Sequence, residues 1–191
     1  MMRTILVGIL VLMAAGVGYL TWDWYSRQFS GEAYGSEFAL VDHTGEEITR
    51  DAFMGHPTAV FFGFTHCPEI CPTTLFELDG WLKQLGSEGE DVRAYFVTVD
   101  PERDTPEVLD SYVSNVSDRI TGITGGKEEV EAMLKGYNIY WKKVPLDDGG
   151  YTMDHTASVI LLGPDGSFFG TIAYGENPDT ALSKLKRLAG G

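Results

Sequence analysis

From Ile5 to Leu20 the chain carries no charge; beyond that, apolar residues come in short runs divided by turn residues. Residues 4–22 make 19 uncharged, mostly apolar positions, close to the roughly 20 a helix needs to cross a bilayer core. Residues 23–36 are mixed polar, Gly and Ser, and predict a tether. Residues 38–42 predict a strand, Thr44-Gly45 a turn, and residues 47–49 a second short strand. The run 58–64 is almost continuously apolar and rich in Val and Phe, the pattern of a strand covered on both faces. After Pro72, the residues Leu75, Leu78, Leu82 and Leu85 fall at helical spacing. Pro suits the first helical turn, so Cys71 lies at or just before a helix N-terminus.

Residues 93–99 predict another buried strand. Thr105 before Pro106 reads as an N-cap opening a helix through about Asn115. A further helix is expected over 127–136 and a strand over 137–143. Residues 158–162 and 167–174 flank Gly163-Pro-Asp-Gly166 as a hairpin, and residues 178–188 close the chain as a helix. This order predicts an α/β, thioredoxin-like fold: a central mixed sheet flanked by helices. An extra N-terminal hairpin and an insertion between strand and helix are additions to the minimal fold. The expected organisation is an anchor over 1–22, a tether over 23–36 and one domain over 37–191.

Charge orients the anchor. Arg3 precedes the apolar segment and every acidic residue follows it, which places the N-terminus in the cytoplasm and the rest beyond the membrane. Trp22, Trp24 and Tyr25 mark the exit, where aromatic rings suit the interface. The apolar stretch exceeds the h-region of a cleaved signal peptide, and the leader lacks the Arg and Ser of a transit peptide. The expected location is a bacterial inner membrane with the domain in the periplasm, where disulfides persist. With Arg3 set aside, 13 Lys and Arg face 28 Asp and Glu; so acidic a domain lacks the cations that nucleic-acid binding needs. A monomer is expected.

The chemistry centres on two cysteines, Cys67-Pro-Glu-Ile-Cys71. Their spacing lets one helical turn aim both sulfurs at a common point, and a helix N-terminus lowers the pKa of a thiol placed there. Cys71 is expected to feel this most. A structural disulfide closing so small a loop would add only about 2 kcal/mol. Thiol-disulfide exchange and soft-metal binding remain open; peroxidase chemistry is remoter, since no single exposed thiolate stands out. Of the four histidines, His43 and His56 read as loop residues, and His66 abuts Cys67 but its side chain diverges from it. Taken alone, His155 before the strand 158–162 is more often structural; in a thioredoxin-like sheet, however, that loop faces the cysteines. Two thiolates and one imidazole make a three-coordinate site. Sulfur favours Cu(I), and imidazole also accepts Cu(II).

Three segments then resemble the Sco (SenC/PrrC) family of copper-binding assembly proteins. They are Phe62-Gly-Phe-Thr-His-Cys-Pro-Glu-Ile-Cys-Pro72, Val97-Thr-Val-Asp-Pro-Glu-Arg-Asp-Thr-Pro106, and Asp154-His-Thr-Ala-Ser158 with Gly163-Pro-Asp-Gly166. The resemblance implies Cys67, Cys71 and His155 as copper ligands. Glu69 stands where the family often has Asp. Asp100 is a candidate outer group, although a loop turn and helix cap explain it more simply. The resemblance further implies a metallochaperone that helps assemble the dinuclear copper centre of cytochrome c oxidase, with oxidase subunit II or its copper chaperones as partners. The alternative is a reductase that keeps the oxidase cysteines in the thiol form.

Overall fold

The computed structural model describes residue 13 and residues 15–21, 34–147 and 149–190, and divides into two units, Met1–Glu32 and Ala33–Gly191. In the first unit, residues 13 and 15–21 are helical and exposed. Among the described residues no helix is long and apolar enough to cross a membrane. Most of the expected anchor over 1–22, and of the tether, lies outside the described residues.

The second unit is built on β1 (Ala39–Asp42), β2 (Glu47–Thr49), β3 (Thr58–Gly63), β4 (Arg93–Thr98), β5 (Ile120–Thr124), β8 (Ser158–Leu162) and β9 (Phe168–Ala173). These form one seven-stranded sheet in the order β2-β1-β5-β4-β3-β8-β9. Strands β3, β4 and β5 run parallel; β1 and β8 are antiparallel to their neighbours β5 and β3. A separate two-stranded hairpin pairs β6 (Trp141–Pro145) with β7 (Tyr151–His155). The helices are α1 (Ile70–Gln84), α2 (Pro106–Ser114), α3 (Lys127–Gly136) and α4 (Pro178–Ala189). This is the expected thioredoxin-like α/β fold with its mixed sheet, and β1–β2 is the extra hairpin; the β6–β7 hairpin, between α3 and β8, was not expected.

All six residues of β3 are buried, because period-2 alternation sends neighbours to opposite covered faces. Phe61 stacks on Phe96, which packs against Tyr112 of α2; Phe62 instead meets Tyr137, at the end of α3. Thr105 caps its helix as read, its hydroxyl accepting from the Val108 N–H; Asn177, not read as a cap, accepts from the N–H groups of Asp179 and Thr180.

Two sequence expectations need correction. The strand expected over 137–143 begins only at Trp141. Tyr137 caps α3 and is buried, while Asn138 turns the chain at φ 54°, a left-handed conformation that Asn tolerates. Strand β5 has no counterpart among the expected elements. Gly122 interrupts its short apolar run; a Cβ there would be in tight contact, 3.3 Å from Cβ of Leu109.

Candidate metal centre

The site forms where β3 stops and α1 starts. Gly63 ends β3, and its carbonyl accepts from the Val99 N–H at 2.7 Å, tying the cysteine loop to the loop after β4. A Cβ on Gly63 would stand 2.9 Å from the Cys71 sulfur and 2.7 Å from the Phe96 ring. Only a glycine lets that sulfur lie against the strand. Helix α1 begins two residues before Pro72, so Cys71 is its second residue and is fully buried; Cys67 precedes the helix with only its edge exposed.

The Cys71 N–H donates to the Cys67 sulfur at 3.3 Å. The Cys71 thiol, hydrogen-bonded to the Cys67 sulfur, is the main cause that lowers the Cys67 pKa. Burial opposes it, the His155 side chain and the backbone N–H groups of Cys71 and Glu69 assist, and Cys67 settles at about 4. The same contact, with burial, pushes the Cys71 thiol up. The expected order is therefore reversed. Cys67, whose sulfur receives the N–H groups at the start of α1, is the thiolate, and Cys71 inside the helix keeps its proton.

His155 is the last residue of β7, not a loop residue, and is half-buried. Its Nε2 lies 3.7 Å from the Cys71 sulfur. Its Nδ1 lies 2.9 Å from the carbonyl oxygen of Thr156. A carbonyl only accepts, so Nδ1 carries a proton, and Nε2 is the nitrogen that faces the Cys71 sulfur. The rings of Phe64 and Phe61 hold the imidazole edge-on, at 5.7 and 6.3 Å. Cys67, Glu69, Ile70 and His155 line a cleft of about 270 Å³. Among the described residues no group of three His, Cys, Asp or Glu is placed to hold a metal ion.

The other histidines lie apart from this cleft. His43 Nδ1 accepts from the Gly122 N–H at 3.1 Å, pinning β5 rather than standing free in solvent. His56 meets the Thr58 hydroxyl at 3.1 Å, and exposed His66 meets that of Thr65 at 3.0 Å. Glu69 is exposed at the start of α1, its side chain making no cap. Asp100 is buried and accepts from Arg103 and from the Tyr151 hydroxyl at 2.9 Å. It braces the strand carrying His155 and does not cap α2.

Sequence reasoning missed Arg103 and Asp104, although both stand in the quoted 97–106 motif. Fully buried Asp104 accepts from the Thr65 N–H (3.1 Å), the Thr65 hydroxyl (2.6 Å) and the Thr98 hydroxyl (2.6 Å). Burial raises its pKa. It fixes the loop two residues before Cys67. A turn followed by a helix cap accounts for the same residues locally, so the spacing held no separate signal for them.

The profile of the SCO1/SenC family matches residues 26–190. This chain belongs to the SCO1/SenC family. It is 38% identical over 145 residues to the human protein "Protein SCO1 homolog, mitochondrial", covering 74% of this chain and 48% of that protein. The chain spans about half the length of the curated family members it matches, with 48% and 44% coverage of the human and Arabidopsis thaliana proteins. Among solved family structures, copper-bound ScoI of Bradyrhizobium japonicum matches with a TM-score of 0.75 and 42% identity, over 82% of this chain and 99% of that one. BsSco, described as having a disulfide switch and as a member of the Sco family of cytochrome c oxidase assembly proteins, matches with a TM-score of 0.64 and 27% identity. That match covers 84% of this chain and 96% of BsSco.

Proposed function

We propose that this chain is a membrane-anchored copper metallochaperone. It binds one copper ion through Cys67, Cys71 and His155 and helps assemble the dinuclear copper centre of cytochrome c oxidase. The observation that carries the reading is the 3.7 Å between the Cys71 sulfur and His155 Nε2. For a first-row ion with bonds of about 2.3 Å to sulfur and 2.0 Å to nitrogen, trigonal geometry separates the two donors by about 3.7 Å. Two sulfurs and an imidazole suit Cu(I) and also admit Cu(II). Cys67 is already a thiolate and captures the ion; Cys71 then gives up its proton as the cation offsets the paired negative charge. Delivery is ligand exchange: acceptor thiolates replace the two sulfurs one at a time. The anchor over 4–22 holds the domain on the outer face of a bacterial inner membrane, as a monomer, beside oxidase subunit II or its copper chaperones.

Copper titration of the fully reduced, full-length protein against a chromophoric chelator tests this, with His155→Ala alongside. Tight one-to-one binding that weakens in the variant is expected. No copper retained against a modest competitor would overturn the proposal.

The thiol asymmetry favours a second reading, reduction of the oxidase cysteines. The Cys67 thiolate attacks a partner disulfide and one partner thiolate leaves. Cys71 loses its proton and attacks the Cys67 sulfur, freeing the second partner thiol and leaving a Cys67–Cys71 disulfide. The two electrons gained by the partner are those lost by the pair. This reading leaves His155 dispensable, so rapid reduction of an oxidase-derived disulfide by His155→Ala would favour it.

A further inference from the structure

Two residues before His155, on the same face of β7, stands Met153. Its backbone pairs with Lys143 as that of His155 pairs with Trp141. Met153 is half-buried and lines the cleft that holds Cys67 and His155. It also lines a neighbouring cavity of about 260 Å³, bounded by Asp100, Lys127 and Trp141. Met153 is thus a wall common to two hollows, one of which is lined by Cys67 and His155. A thioether is uncharged, flexible and soft: it prefers Cu(I) over harder ions, and its three rotatable bonds let it move within a packed wall. A residue needed only to fill that wall would serve equally well as Leu, which has no donor atom.

Resting on the metallochaperone reading, we propose that Met153 is a further soft ligand, used for Cu(I) while the cysteine sulfurs are being exchanged. As one cysteine sulfur leaves, its copper–sulfur bond breaks and the Met153 sulfur donates a lone pair in its place; the incoming acceptor thiolate then displaces the thioether. Coordination number is kept and no electron is transferred. The freed cysteine takes up a proton from water. The thioether then leaves more readily than a thiolate because it carries no charge, so it holds the ion without trapping it. Cu(II), the harder ion, gains little from it.

The test compares full-length wild type, Met153→Leu, His155→Ala and the double variant His155→Ala/Met153→Leu. Each is titrated with Cu(I) against a chromophoric chelator and, separately, with Cu(II) followed by its sulfur-to-copper absorption band. Met153→Leu is expected to weaken Cu(I) binding in the His155→Ala background on the order of tenfold and to leave the Cu(II) band of the single variant unchanged. X-ray absorption of Cu(I)-loaded His155→Ala should show a third sulfur neighbour that the double variant lacks. Leu conserves volume, and circular dichroism checks that each variant is folded. Equal Cu(I) affinity and equal sulfur counts with and without Met153, in proteins that do bind copper, would overturn the role of Met153 alone. Wild type that binds no copper would overturn the metallochaperone reading beneath it.

Discussion

The guanidinium of Arg103 lies over the ring of Tyr151, 3.7 Å from its centre, and its Nη1 donates to the Tyr151 carbonyl oxygen at 3.0 Å. Arg103 also pairs with Asp100, which accepts from the Tyr151 hydroxyl. The loop after β4 thereby holds the strand that presents His155. Arg103→Lys loses the planar stack and the fork. Amides of β6 and β7 should exchange hydrogen faster, and copper affinity should fall on the order of tenfold. Native-state hydrogen exchange with parallel copper titration measures both.

Gly63→Ala places a Cβ 2.9 Å from the Cys71 sulfur and 2.7 Å from the Phe96 ring. Overpacking of this kind destabilises by about 1–3 kcal/mol, and here it also displaces a donor. The urea midpoint should drop, with weakened copper binding in the fraction that folds.

Cys67, held at about 4, is a thiolate throughout the neutral range. Its alkylation rate in the reduced protein should be flat from pH 6 to 8, whereas an unperturbed thiol of pKa about 8.5 gains reactivity with pH. The folded pKa lies below the unfolded one, so the unfolded chain binds more protons between them. The stabilisation from Cys67 is therefore complete above the unfolded value and is lost as pH falls toward 4. Urea midpoints of wild type and Cys67→Ser, measured from pH 4 to 9, should diverge as pH rises.

Asp104→Asn keeps the size but puts an amide among three donors: the Thr65 N–H and the hydroxyls of Thr65 and Thr98. At least one buried group is left without an acceptor, a loss of about 1–3 kcal/mol. Chemical denaturation should show the loss, and the Thr65 amide should exchange faster.

Among the described residues the Tyr112 hydroxyl is buried without a hydrogen-bond partner. Tyr112→Phe keeps the packing on Phe96 and removes an unsatisfied polar group, so the urea midpoint should hold or rise. A clear fall would reveal a partner for that oxygen.

Most of the fold was legible because its signals are local. The apolar run 58–64, the leucines of α1 and the cap at Thr105 each depend on residues within a turn or two of one another. Strand β5 escaped because Gly122 lowers strand propensity. Cys67, Cys71 and His155 were singled out by residue type and resemblance, and the structure sets Cys71 beside His155. Arg103 and Asp104 were not, since their partners at Tyr151, Thr65 and Thr98 come from other parts of the chain.

The sequence by itself determined the thiol and imidazole side chains on offer, their soft character and most of the strands and helices, for these follow from side-chain chemistry and short-range periodicity. The tertiary structure decided which thiol is the acid, which nitrogen of His155 faces the sulfurs, and that β7 carries it. Those properties depend on burial, on N–H groups aimed at one sulfur and on the Thr156 carbonyl, and each exists only once the chain has folded around them.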